Sequence, residues 1–299
     1  MSSPRNTVAH ALVRSWKWLD SFASFFGAIV GGFYKIRGTR PIKDLLHGTW
    51  PLHHPLHPAV TDLTVGGYTA AVALDVLYLV TRETTLVRAA DFMIVAAFLT
   101  SLVSIVSGLT DWNETFDEER RTGMLHGLLM LATSVVFIVS IALRLGGGQR
   151  ELAIGLAVAG LAVLLVASYF GGEMVFGYGT EVNHQAWTEL EDTWEAIDVA
   201  AASLADRKPV VARTKAGVPI FVAKVDDGIY AMGNTCTHAG GPLNEGTWVG
   251  AKRCEIQCPW HASAFCVKDA GVRGGPATFD EVRFDVRTDA SGKLEVRPH

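Results

Sequence analysis

The chain has 299 residues, of which 49% are apolar and 19% charged, and its mean hydropathy of +0.25 exceeds what a soluble core requires, so part of it must face lipid. A formal net charge of −4 offers no basic face to neutralise phosphates, and no nucleic-acid partner is expected. Four cysteines exclude a disulfide-built scaffold, while the length allows two domains.

In chain order, residues 1–58 form an N-terminal segment. Its apolar stretch from Phe22 to Tyr34, 13 residues between Lys17 and Lys35, is short for a span and reads as an interfacial helix. A secretory signal fits poorly, because no small-x-small cleavage pattern follows. A hydrocarbon core of about 30 Å takes ~20 helical residues. Four runs meet that length or nearly so: Ala59 to Thr81, Phe92 to Leu109, Met124 to Leu143 and Leu152 to Gly172. They predict a four-helix transmembrane bundle over 59–172, packed through small residues such as Gly155 and Gly160. Asp62 and Asp75 lie in the first span and are costly there unless paired. A hydrogen bond to a Ser or Thr of another span, a proton path and a quinone contact all remain open for Asp75. No internal repeat is visible. Residues 173–206 hold eight acids and no Lys or Arg, with Trp187 and Trp194 among them, and read as a partly helical acidic linker. From Arg207 onward, alternating runs such as Val210 to Arg213, Ile220 to Lys224, Ile229 to Met232, Arg253 to Gln257, Val282 to Arg287 and Leu294 to Arg297 are separated by turn signals, among them Asp226-Asp227-Gly228. They predict a small all-β domain over 207–299.

Within that domain stand Cys236-Thr-His238-Ala-Gly-Gly-Pro and Cys258-Pro-Trp-His261-Ala-Ser263, with 19 residues between His238 and Cys258. Two Cys and two His suit tetrahedral zinc as well as iron. The paired loops, each delivering one thiolate and one imidazole, point instead to a binuclear iron–sulfur cluster. These motifs resemble the Rieske signature, so the fold class implied is a multidomain membrane protein, a four-helix bundle followed by an all-β Rieske domain. The resemblance implies a [2Fe–2S] cluster with Cys236 and Cys258 on the inner iron and His238 and His261 on the outer one. Quinol-linked members of the family carry a disulfide where Gly241 and Trp260 stand here, and a tyrosine where Phe265 stands, while Ser263 matches their sulfide-bonding serine. The CPWH loop with Trp260 is closer to Rieske ferredoxins and nitrite reductase small subunits. Loss of a hydrogen-bond donor places the potential in the lower or middle part of the Rieske range of about −150 to +300 mV. Cys254 and Cys266 lie outside both loops and read as small buried residues without assigned function.

The membrane part resembles a bacterial four-helix domain of unknown function, through His54-Pro55-Leu56-His57-Pro58-Ala59-Val60, Gly108-Leu109-Thr110-Asp111-Trp112 and Arg121 to His126. Four spans bring His53, His54, His57, Asp111, His126 and His184 to one membrane side. His57 and His126 are the best pair for haem b or a metal ion. The competing reading is that they orient helix starts. No CxxCH occurs, so covalent haem is excluded. Arg40, Lys43, Arg120 and Arg121 on one side balance Arg82, Arg88, Arg144 and Arg150 on the other. Arg5, Arg14, Lys17, Lys35 and Arg37 tip the count toward a cytoplasmic N-terminus in a bacterial inner membrane. An even number of spans, and no twin-arginine signal before the first or fourth, then put the cluster domain in the cytoplasm.

The expected function is electron relay: a membrane-anchored Rieske protein passing single electrons between a redox protein partner and an acceptor at the surface of the lipid bilayer. No stand-alone enzyme activity is evident. Two alternatives are a quinone- or haem-linked oxidoreductase subunit with a second redox site in the bundle, and a docking subunit of a larger respiratory or oxygenase complex.

Overall fold

The N-terminal segment is helical: α1 (Val8–Ser15), α2 (Leu19–Tyr34) and α3 (Arg40–His47) precede four longer helices, α4 (Leu56–Thr81), α5 (Thr85–Trp112), α6 (Asp117–Leu145) and α7 (Arg150–Gly172). The structure, a computed structural model, describes residues 8–226, 228–250 and 254–299. Arg5, Asp227 and Arg253 lie outside them. Contacts divide the chain into two units, one holding α1, α2 and Leu56–Thr180, the other Pro41–Pro55 with Glu181–His299.

In the first unit, α4 to α7 are each long and apolar enough to cross a membrane. Acids fill the first turn of α6 (Asp117, Glu118, Glu119) and Arg144 its last turn, matching the helix dipole. The helices pair as two hairpins, α4 with α5 and α6 with α7, and these repeat one another. A spacing of 69 residues relates His57, Thr64, Tyr68, Ala71 and Asp75 to His126, Thr133, Phe137, Ser140 and Arg144. A spacing of 63 relates Ala90, Ala97, Ser104 and Gly108 to Ala153, Gly160, Ala167 and Gly171. Several of these are the buried positions of their helices. Equivalent residues of α4 and α6 also meet each other. The His57 and His126 rings lie 6.4 Å apart, Tyr68 stacks on Phe137 at 3.7 Å, and Asp75 pairs with Arg144. Residues that touch their own counterparts lie on an approximate two-fold axis, and the common order of the three contacts sets that axis along the bundle. The expectation of no repeat is therefore corrected.

Asp75, for which a Ser or Thr partner, a proton path and a quinone contact were open, pairs with arginines. It is fully buried and bonded to Arg144 and, at 2.8 Å, to Arg150. Both arginines also bond Asp91. Asp62 is exposed. The apolar helix α2 turns Leu19 and Ala23 inward and exposes Phe22, Phe25, Ile29 and Phe33. After α7 a single π-helical turn, Glu173–Tyr178, follows.

From Glu181 onward the second unit is antiparallel β. One sheet has the order β1 (Glu195–Ala200), β10 (Lys293–Pro298), β9 (Arg283–Thr288), β4 (Gly228–Gly233), β3 (Pro219–Val225), β2 (Val210–Arg213); the other runs β5 (Thr247–Val249), β6 (Glu255–Gln257), β7 (Ala264–Cys266), β8 (Val272–Gly274). Phe221 and Met232 of the larger sheet pack with Ile256 and Phe265 of the smaller one, and with Leu243 between β4 and β5. The acidic segment differs from the expected linker. Its residues Glu195–Ala200 form β1, paired with β10, because Ile197 and Val199 alternate inward into the second core cluster. The β fold thus begins before Arg207.

Candidate metal centre

Cys236 and His238 sit on the loop after β4, and Cys258 and His261 on the loop joining β6 to β7. The two loops share one backbone form. In the first, Gly240 N–H donates to Cys236 O at 2.8 Å and Cys236 N–H to Gly241 O at 2.9 Å. In the second, Ala262 N–H donates to Cys258 O at 3.2 Å and Cys258 N–H to Ser263 O at 2.7 Å. The fourth residue after each cysteine takes a left-handed turn, Gly240 with φ 81° and Ala262 with φ 63°. This curl aims each cysteine and its histidine at the same point. His238 and His261 meet edge to face at 4.8 Å between ring centroids, and the exposed Trp260 ring lies 6.4 Å from that of His261.

The loops are pressed together by a glycine. A Cβ on Gly241 would stand 2.7 Å from Cys258 Sγ and 3.1 Å from the Trp260 ring, so only glycine lets the first loop pass over the second cysteine. The thiol of Cys236 and the N–H groups of Trp260 and His261 stabilise the Cys258 thiolate, which lowers its pKa to about 6, whereas the Cys236 thiol is pushed up. Burial, then the neighbouring His261, His47, His184 and Lys43, lower His238 to about 3. Its imidazole is therefore neutral and ready to donate a lone pair. His238 Nδ1 is enclosed with no hydrogen-bond partner among the described residues. A bare buried nitrogen beside two cysteines and a second imidazole is a donor set that suits a cluster iron.

Several residues around this centre were not legible in the sequence. Glu281, 5% exposed, accepts the Thr237 N–H at 2.7 Å, and burial raises its carboxyl well above the usual carboxylate range. Thr237 Oγ1 donates to Phe279 O at 2.8 Å, so the residue between Cys236 and His238 is held on both sides. Glu181 Oε1 lies 3.9 Å from His238 Nε2. Residues 41–55 strap across a third loop: Asp44 Oδ1 accepts the Gly275 N–H at 2.9 Å and Thr49 Oγ1 donates to Gly275 O at 2.5 Å. A Cβ on Gly275 would stand 2.6 Å from Ser263 Cα, and Ser263 Oγ accepts the Ala277 N–H at 3.0 Å. The strap therefore bears on the second ligand loop through Gly275.

Of the other expected histidines, His184 joins this centre, its N–H donating to Thr237 O at 3.0 Å, while His53 and His54 are exposed. His57 and His126 form their own pair inside the bundle, and Asp111 is buried on α5. Phe265 is buried in the core. Cys254 and Cys266, outside both ligand loops, are free thiols with sulfurs 3.9 Å apart.

Comparison with known proteins gives two family matches: residues 53–184 match a predicted membrane protein family, DUF2231, and residues 195–284 match the Rieske [2Fe-2S] domain. Ferredoxin CarAc of Metapseudomonas resinovorans is 38% identical over 68 residues, 23% of this chain and 61% of the ferredoxin. The chain thus aligns with less than two thirds of that relative. Among solved structures, the ferredoxin of carbazole 1,9a-dioxygenase from Nocardioides aromaticivorans IC177 is 26% identical with a TM-score of 0.32, covering 36% of this chain and 99% of that one. A putative NADH-dependent nitrite reductase small subunit from Mycobacterium tuberculosis is 20% identical with a TM-score of 0.31, covering 35% and 93%.

Proposed function

Because the chain joins a DUF2231 membrane domain to a Rieske [2Fe-2S] domain, we propose that it is a membrane-anchored electron carrier, with the cluster held by Cys236, Cys258, His238 and His261. The observation that carries this reading is the pair of matching loops, each presenting one cysteine and one histidine to a common point. When bound, the cluster supplies a one-electron couple. The chain's own residues set its surroundings: the N–H groups of Trp260 and His261 serve Cys258, and such hydrogen bonds to sulfur tune potential.

The contact edge for a redox protein partner is His261 with Trp260, which is 55% exposed. The neighbouring His238 side chain is 10% exposed. An exposed aromatic ring beside a candidate ligand histidine gives a partner an apolar anchor. The four apolar helices anchor the carrier, and the exposed face of α2, Phe22, Phe25, Ile29 and Phe33, lies in the lipid interface. Residues on both flanks of the four helices, 41–55 and 181–299, belong to one unit, which supports an even number of crossings. On this reading the cluster domain faces the cytoplasm of a bacterial cell. A second reading, an oxidoreductase subunit with another redox centre in the bundle and quinone or a protein as its partner, is favoured by the pairing of His57 with His126.

The test is the visible and EPR spectrum of detergent-purified protein before and after dithionite, with iron counted per chain. A rhombic signal on reduction with two irons, lost in Cys258→Ser, is expected. Zinc in place of iron, or no reducible signal from protein purified anaerobically, would overturn the reading.

A further inference from the structure

The two-fold repeat of the bundle makes the His57 and His126 environments equivalent. His57, on α4, donates from Nδ1 to Ser104 O of α5 at 2.9 Å. His126, on α6, donates from Nδ1 to Ala167 O of α7 at 2.8 Å. Each ring lies over the glycine four residues beyond its acceptor. A Cβ on Gly108 would stand 2.6 Å from His57, and one on Gly171 3.2 Å from His126. A carbonyl oxygen can only accept, so both Nδ1 atoms carry the proton and both Nε2 atoms keep a lone pair. No hydrogen bond reaches either Nε2 among the described residues, and neither Nε2 is among the enclosed polar atoms without a partner.

Such a pair is costly to keep inside an apolar bundle unless something uses it. A backbone carbonyl on one ring nitrogen, fixing the tautomer and orienting the other nitrogen, is the arrangement that metal-ligating histidines adopt. The spacing agrees. Two imidazoles on opposite sides of one metal, each nitrogen about 2 Å from it, have centroids about 6 Å apart, and the observed separation is 6.4 Å with the ring planes at 87°. A quinone carbonyl would need a donor, whereas both ring N–H groups are already given to carbonyls.

We propose that His57 and His126 ligate one metal centre through their Nε2 atoms, on the approximate two-fold axis of the bundle. Its two candidate sources are haem iron, taking the imidazoles as axial ligands, and a single transition-metal ion. The site is independent of the cluster, which serves as an internal control.

The experiment uses the full chain, purified in detergent from cells supplied with iron and a haem precursor. It compares wild type with His57→Gln, His126→Gln and the exposed His54→Gln. The readouts are the Soret and α bands, pyridine haemochrome content and elemental analysis, with the cluster EPR signal and gel-filtration profile reporting that each variant is folded. A stoichiometric Soret band lost in both His57→Gln and His126→Gln and kept in His54→Gln supports the haem form. One metal per chain beyond the two cluster irons, with no Soret band and the same pattern of loss, supports the bare-ion form. Absence of any metal beyond the cluster, or a band unaffected by either substitution in folded protein, overturns the proposal. Should the glutamine variants not fold, Gly108→Ala replaces them. Its added methyl displaces the His57 ring, and an unchanged spectrum there also overturns the site.

Discussion

At the scale of single residues, the ligand loops are governed by two kinds of backbone constraint. One is close approach: Gly241 lies where a Cβ would come within 2.7 Å of Cys258 Sγ. Gly241→Ala is expected to abolish cluster incorporation while leaving the β fold, read as loss of iron and of the reduced EPR signal with unchanged far-UV circular dichroism. The other is handedness. Ala262 has φ 63° where the matching position of the first loop is Gly240, and a left-handed non-glycine residue costs roughly 1–2 kcal/mol. Ala262→Gly is therefore expected to raise the unfolding midpoint modestly at unchanged iron content, and a fall in midpoint would show that the turn is not strained. Both Cys–His pairs that the structure brings together could be read directly from their spacing. The carboxyl of Glu281 and the strap residues Asp44 and Thr49 could not, because nothing local to them announces a partner so many positions away.

At the scale of elements, the apolar runs stood out since lipid-facing helices must be apolar over most of their length. Strands such as β3, buried along most of its length, and β10, with inward alternation, were equally plain. The short strands β5, β7 and β8 were not; three residues each are too few for a period to show. The duplication within the bundle escaped for a different reason. Four of the nine spaced pairs are identical, but they are scattered among diverged ones such as Tyr68 against Phe137 and Asp75 against Arg144. The ion cluster at this end carries its own prediction. Asp75→Leu leaves Arg144, whose side chain is 2% exposed, without its buried acid. Breaking a buried pair costs about 3–5 kcal/mol, so the detergent-solubilised protein should show a clearly lowered thermal midpoint. Asp75→Arg combined with Arg144→Asp should recover part of it. Equal midpoints for Asp75→Leu and wild type would mean that the arginines find other acceptors.

At the scale of the whole molecule, the chain leaves one compact unit at Pro55, passes through four apolar helices, and re-enters the same unit at Glu181. The strap of residues 41–55 makes this a closed circuit, since Asp44 and Thr49 grip Gly275. Reporter fusions or impermeant thiol labelling at Ser3 and after His299 should therefore report the same side of the membrane, with a site at Gly148 on the other. Opposite sides for the two termini would require an odd number of crossings. Loosening the strap should be felt at the metal centre. Asp44→Ala removes an acceptor to the Gly275 N–H, worth about 1.5–3 kcal/mol for a charged group, and faster hydrogen exchange in residues 41–55 and 274–277 is the expected sign.

The pairing of Asp75 with Arg144 also bears on how two such hairpins could ever have come together. A hairpin that met an identical copy of itself would set Asp75 against Asp75, or Arg144 against Arg144, at a position that excludes water. Only the unlike halves are complementary. The bundle is therefore compelled to form between α4–α5 and α6–α7, and exchange of a hairpin between two chains preserves the match only when each swapped hairpin meets the opposite type. The charge inversion thus acts as a polarity key, committing an almost symmetric object to a single order of assembly.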